Sequence, residues 1–114
     1  MVVEDEVLLR LTMIDMLEPS GFEVVAVANA EEAIEILKRR PDVKVVVTDI
    51  NMPGSMDGLD LIAFVKSKWP RIALIVMSGK SSPNIFEKIP EGGLFFSKPY
   101  DVAALVAAIE AAAG

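Results

Sequence analysis

The chain has 114 residues, 53% of them hydrophobic and 25% charged, with a formal net charge of −6. That length supports one core, here expected as a single domain over residues 1–114, and the apolar share is too high for disorder. With no cysteine and no histidine, disulfides, Cys–zinc sites, thiol catalysis, Ser-His-Asp triads and His general bases are excluded, leaving carboxylates, hydroxyls, lysines, arginines or a hard metal.

Met1-Val2-Val3 reads as the end of a first strand. Val7 to Leu17 reads as a helix with Leu8, Leu11, Ile14 and Met16/Leu17 along one side, stopped by Pro19-Ser20-Gly21. Val24 to Val27 is a second strand. Asn29 is a plausible N-cap for a helix over Ala30 to Arg39, with Ala33, Ile34 and Leu37 inward, acids in its first turn and Lys38-Arg39-Arg40 in its last. Val43 to Thr48 is a stronger strand. A helix over Leu59 to Lys68 ends before Pro70. Ile72 to Met77 and Leu94-Phe95-Phe96 are the last two strands. Between them Ser81 to Glu91 holds Pro83 and Pro90 with little periodicity, so one short turn of helix or a loop is expected. Asp101 caps a final helix over Val102 to Ala113, with Leu105, Val106 and Ile109 inward.

The strand runs are continuously apolar, as in strands covered on both faces. Alternation of strand and helix, short loops and right-handed crossovers predict an α/β doubly wound, flavodoxin-like (βα)5 three-layer sandwich. Its five parallel strands would run in the order 2-1-3-4-5, with the fourth helix short or degenerate. The first strand would then be central, although only three residues precede Glu4. Either a few residues are missing ahead of it, or this strand is unusually short. The longest apolar run, Val102 to Ile109, is far below the roughly 20 residues of a membrane span. No leader pattern opens the chain, so a cytoplasmic location is expected. The acidic balance argues against nucleic acid as a direct partner, since phosphate binding needs clustered Lys and Arg.

In such folds ligands bind at the carboxyl ends of the strands. The first strand ends in Glu4-Asp5-Glu6, the third in Thr48-Asp49-Ile50-Asn51, the fourth in Ser78-Gly79 and the fifth in Ser97-Lys98-Pro99. Strands one and three are neighbours in the expected order, so Glu4, Asp5 and Asp49 would converge. Three close carboxylates repel unless a cation joins them, and oxygen-only ligands favour Mg²⁺ or Mn²⁺. Lys98 would add a mobile positive charge. Taken singly, each piece has an ordinary alternative: Asp at a strand end is often a cap or turn former, Ser78-Gly79 and Met52-Pro53-Gly54 are common turns, and Lys98-Pro99 could be a solvated loop.

Together these segments resemble the receiver domain of bacterial two-component response regulators over essentially the whole chain. The resemblance is carried by Val-Val-Glu-Asp-Glu (2–6), Val-Val-Thr-Asp-Ile-Asn-Met-Pro (46–53) with Asp57-Gly58-Leu59, Ile-Val-Met-Ser-Gly (75–79) and Phe-Phe-Ser-Lys-Pro (95–99). It implies a phosphorelay switch that is CheY-like and no turnover enzyme, since it catalyses only its own phosphorylation and dephosphorylation. Asp49 would be the phosphoacceptor. Asp5 would ligate Mg²⁺ directly and Glu4 directly or through water, with Asp49 and the Asn51 backbone carbonyl completing the protein ligands. Ser78 and Lys98 would contact phosphoryl oxygens. Phe95 takes the place of the aromatic switch residue, though an ordinary core aromatic is an equal reading. Asn51 and Lys80 would tune the phosphoryl lifetime.

An ordinary carboxylate is already deprotonated at neutral pH, so no general base is required. The histidine would belong to a partner, a histidine kinase or histidine phosphotransfer protein, and a downstream protein target would read the switch. Two departures stand out. The loop over residues 52–58 looks long, and the region between Ser78 and Lys98 looks shortened, so dimerisation through a fourth helix is not implied and a homodimer stays open. A stand-alone or C-terminal receiver is favoured over one excised from a hybrid sensor kinase, because no effector sequence follows Gly114. Other readings are a phosphorylation-independent interaction module, a Mg²⁺-dependent phosphohydrolase and an FMN binder. Asn51 stands where such hydrolases usually carry a second acid, and no hydroxyl-rich phosphate loop suits FMN.

Overall fold

The computed structural model of the chain describes residues 1–50, 56–79 and 89–113. The elements are β1 (Val2–Val3), α1 (Val7–Leu17), a 3-10 turn (Glu18–Ser20), β2 (Ala26–Val27), α2 (Ala30–Leu37), β3 (Val45–Asp49), α3 (Gly58–Lys68), β4 (Ala73–Ser78), β5 (Leu94–Ser97) and α4 (Val102–Ala113). The five strands form one sheet in the order β2-β1-β3-β4-β5, parallel throughout. This is the expected doubly wound order. The fourth-helix expectation between β4 and β5 falls largely on residues 80–88, outside the described residues.

Side chains alternate across the sheet, and each face has its own core. Val3, Val46, Leu74 and Val76 face α2 and α3, meeting Ala33, Leu37, Leu61, Ile62 and Val65. Val2, Val45, Val47, Ile75 and Met77 face α1 and α4, meeting Met13, Leu17, Leu105 and Ile109. Burial on both sides explains the unbroken apolar runs of β3 and β4. β1 has only two residues, Val2 and Val3, yet sits centrally, bonded on both sides through Val2 N–H to the Val25 carbonyl and Val47 N–H to the Met1 carbonyl.

Local signals fix the helix ends. The Asn29 side chain accepts the Glu32 N–H at 2.8 Å. Asp57 and Asp60 form a reciprocal capping box at the start of α3. Asp101 accepts the Ala103 N–H at 2.9 Å. Gly21, at φ +93, ends the 3-10 turn in the left-handed region that glycine enters without penalty. α2 closes at Leu37, so Lys38 is its C-cap and the basic run lies past its last turn.

The expected face of α1 needs correction. Leu8 and Leu11 are 73% and 51% exposed, whereas Met13 and Leu17 are buried. Apolar residues surround this helix on nearly all sides, so periodicity could not choose a face. Contact with the sheet and with α4 chose the Met13–Leu17 stripe instead.

Candidate phosphoacceptor site

Four strand ends build the site. Asp49 is the last residue of β3 and Ser78 the last of β4, both buried. Parallel register pairs Asp49 with Met77 and Ser78 with Ser97, so their backbones are fixed by the sheet. Glu4 follows β1 and is 2% exposed. Its backbone is held by its own N–H to the Val27 carbonyl at 3.0 Å and by Arg10, whose guanidinium donates to the Glu4 carbonyl at 2.9 Å. Lys98 follows β5, and its N–H donates to the Ser78 carbonyl at 2.9 Å.

Lys98 is the electrostatic centre. Its Nζ lies 2.5 Å from Asp49 Oδ2 and 3.7 Å from Glu4 Oε1. Burial works against the ammonium, but the Asp49 hydrogen bond and the Asp49 and Glu4 charges outweigh it and raise the Lys98 pKa. Glu4 is also raised, first by burial. The Glu6 N–H, at 3.2 Å from Glu4 Oε2, opposes the rise, while the Asp5 carboxyl and the Asp49 charge add to it. Asp5 itself is exposed at the rim.

The sequence-derived set is therefore brought together at Glu4, Asp49 and Lys98, with Ser78 on the adjoining strand end and Asp5 beside Glu4. Asn51 and Lys80 lie outside the described residues. Phe95 is half-buried on β5, opposite Val76, against the core layer shared with α2 and α3. Among the described residues, no three acidic side chains close into a metal-holding group. The donor set still suits a hard cation that keeps most of its water, because such an ion needs only one or two carboxylates.

Three contributors were given no role in the site from sequence, although Gly58 stood in a quoted motif. Arg10 clamps the Glu4 backbone. Tyr100 donates its hydroxyl to Met13 Sδ at 3.0 Å, joining the segment after Lys98 to α1. Gly58 lies against the end of β3: a Cβ there would meet the Asp49 carbonyl oxygen at 2.0 Å and Ile50 Cα at 2.7 Å. A glycine at the start of a helix, where it weakens helix formation, was the available signal for this close approach. A cavity of about 210 Å³ adjoins the site, bounded by Glu4, Thr12, Met13, Met77, Lys98 and Tyr100.

Among the described residues, no helix is long and apolar enough to cross a membrane. The model of the response regulator receiver domain matches residues 1–110. The transcriptional regulatory protein PdtaR of Mycobacterium tuberculosis is 33% identical, the match covering 98% of this chain and 55% of PdtaR. The chemotaxis protein CheY of Listeria monocytogenes is 32% identical over 99% of this chain and 96% of its own length. The chain thus spans about half the length of PdtaR and nearly all of CheY. A response regulator receiver protein of Sinorhizobium medicae superposes with a TM-score of 0.90 at 27% identity, covering 98% of this chain and 90% of that one. With this order of strands and these strand-end residues, the chain belongs to the response regulator receiver domain family.

Proposed function

We propose that the domain is a phosphoryl-accepting switch in a two-component phosphorelay, with Asp49 as the acceptor. The observation that carries this reading is the ion pair of buried Asp49 with half-buried Lys98, with buried Glu4 alongside, at the carboxyl edge of the parallel sheet. An oxygen of Asp49 attacks phosphorus, the bond from phosphorus to the donor nitrogen or oxygen breaks, and an acyl phosphate forms. The donor is a histidine kinase, a histidine phosphotransfer protein or a small phosphodonor, and the leaving group takes up the bonding pair.

Glu4, Asp5 and Asp49 would hold Mg²⁺ or Mn²⁺, with the Asn51 carbonyl as the further ligand implied by the family. Such an ion would supply positive charge against the phosphoryl oxygens. Lys98, already poised between Asp49 and Glu4, turns its ammonium to a phosphoryl oxygen as charge transfers. Ser78 offers a hydroxyl to another. The new group carries nearly two negative charges where Lys98 had a carboxylate partner. The strand ends and Phe95 then readjust, which changes the surface offered to a downstream protein. Asn51 and Lys80 tune the lifetime of the acyl phosphate.

Incubation with phosphoramidate or acetyl phosphate and Mg²⁺ is expected to add one phosphoryl mass, read by intact-protein mass spectrometry. The gain should vanish in Asp49→Ala and without divalent cation. An unchanged mass in the parent, or labelling that persists in Asp49→Ala, would overturn the reading.

A further inference from the structure

We propose that Tyr100 is a positioning residue for Lys98, acting through a hydroxyl–thioether bond to Met13. The inference rests on the phosphoacceptor reading of the site and concerns how its ammonium is held.

The Lys98 main chain is fixed to β4 by the Ser78 carbonyl. Its side chain is a different matter. A lysine stem has several rotatable bonds, and holding it in one geometry costs conformational entropy. The cavity beside it gives that stem room to withdraw from Asp49. Tyr100 and Met13 line the same cavity. Their bond at 3.0 Å spans 87 residues of sequence.

Met13 is a firm anchor. It is 2% exposed and belongs to the core layer with Leu17, Val47, Met77 and Leu105. Tyr100 is half-buried against the same layer. The chain resumes regular structure just beyond it, where Asp101 caps α4. The two residues between Ser97 and Tyr100 are thus strung between a strand end and a side chain pinned to α1. Thioether sulfur is a weak acceptor, so the bond is modest. Without it, the Tyr100 ring keeps its packing but loses the directional tie. The segment that carries Lys98 then relaxes toward the cavity, and the ammonium spends less time on Asp49. α1 also holds the opposite side of the site, through Arg10 on the Glu4 carbonyl. One helix would therefore register both the lysine and the glutamate.

Tyr100→Phe removes the hydroxyl alone, and Met13→Leu removes the acceptor at nearly constant volume. Two readouts apply to these variants and to the double variant. The first is the ¹⁵Nζ–¹H resonance of Lys98 in unphosphorylated protein with ¹⁵N-labelled lysine, assigned with Lys98→Arg. The second is the rate of Asp49 labelling by phosphoramidate. Both single variants should shift the Lys98 resonance and slow labelling about threefold, the scale of one modest hydrogen bond. The double variant should be no slower than either single one, because both break one bond. An unmoved Lys98 resonance in both single variants would overturn the inference. So would additive slowing in the double variant, which would mark two independent packing defects. If the parent takes no label, the phosphoacceptor reading fails, while the resonance still decides whether the bridge positions Lys98.

Discussion

The Lys98 ammonium contacts the Asp49 carboxylate at 2.5 Å, joining two residues 49 positions apart. Asp49 is 7% exposed. Lys98 is thus a neutralising partner of a nearly buried acid. Replacing it with methionine preserves the stem and deletes the charge. Lys98→Met leaves the Asp49 and Glu4 carboxylates close together without the ammonium beside them, which should destabilise the fold by about 2 kcal/mol. On the proposed function it also removes the cation that would stabilise charge on the transferring group, and labelling should slow by about a hundredfold. Urea melts and the mass-shift assay measure the two effects separately. Lys98→Met with wild-type labelling would show that the ammonium takes no part in transfer.

Gly58 controls the geometry of Asp49 from behind. Its N–H donates to the Ile50 carbonyl at 2.9 Å, and an added Cβ would strike the Asp49 carbonyl oxygen, which is backbone and cannot swing aside. Gly58→Ala should therefore cost about 3 kcal/mol as the α3 terminus and the β3 end are forced apart, despite the better helix propensity of alanine. Labelling should fall with it, since the β3 end that carries Asp49 moves. A variant as stable as the parent would mean that α3 re-seats freely.

Much of this fold was legible because the sequence signals were redundant. β3 and β4 are unbroken apolar runs, and Asn29 and Asp101 cap the helices they were expected to cap. The gathering of four side chains was legible for a related reason: Asp49 and Ser78 end their strands, Glu4 and Lys98 directly follow theirs, and the parallel sheet brings these positions to one edge. The face of α1 was not legible, since Leu8, Leu11, Met13 and Leu17 are alike to a periodicity argument and only packing separates them. The Tyr100–Met13 bond and the Arg10 clamp depend on side-chain reach across the fold, which spacing does not encode. Gly58 was visible in the motif, but the contact that requires it appears only once β3 and α3 are set side by side.

A cap remote from the site separates stability from chemistry. Asn29 accepts the Glu32 N–H at 2.8 Å, and Glu32 returns a bond from the Ala28 N–H at 3.0 Å. Asn29→Ala should lower stability by about 1 kcal/mol. The labelling rate measured well below the melting temperature should stay at the parent value. A slowed rate would reveal coupling between α2 and the sheet edge that carries Asp49.

Glu4 should make stability depend on pH in a direction opposite to that of an acid whose ion pair outweighs its burial, because here burial outweighs the pull of Lys98. Its folded-state pKa stands above the ordinary 4.5, with burial as the main cause, eased by the Glu6 N–H and reinforced by the Asp5 and Asp49 carboxyls. The folded chain therefore holds this proton more tightly than the unfolded chain. Stability contributed by the protonated form is complete below the ordinary value and declines as pH rises from there through the raised one. Glu4→Gln keeps an acceptor for the Glu6 N–H and abolishes the ionisation. In metal-free buffer the variant should melt above the parent at about pH 7, with the gap shrinking toward about pH 4. Mg²⁺ should narrow the gap at the higher pH, because only the parent keeps the Glu4 charge to offer a cation. Thermal melts with and without the ion measure all three comparisons. A gap equal at both pH values would show that Glu4 ionisation carries no stability cost.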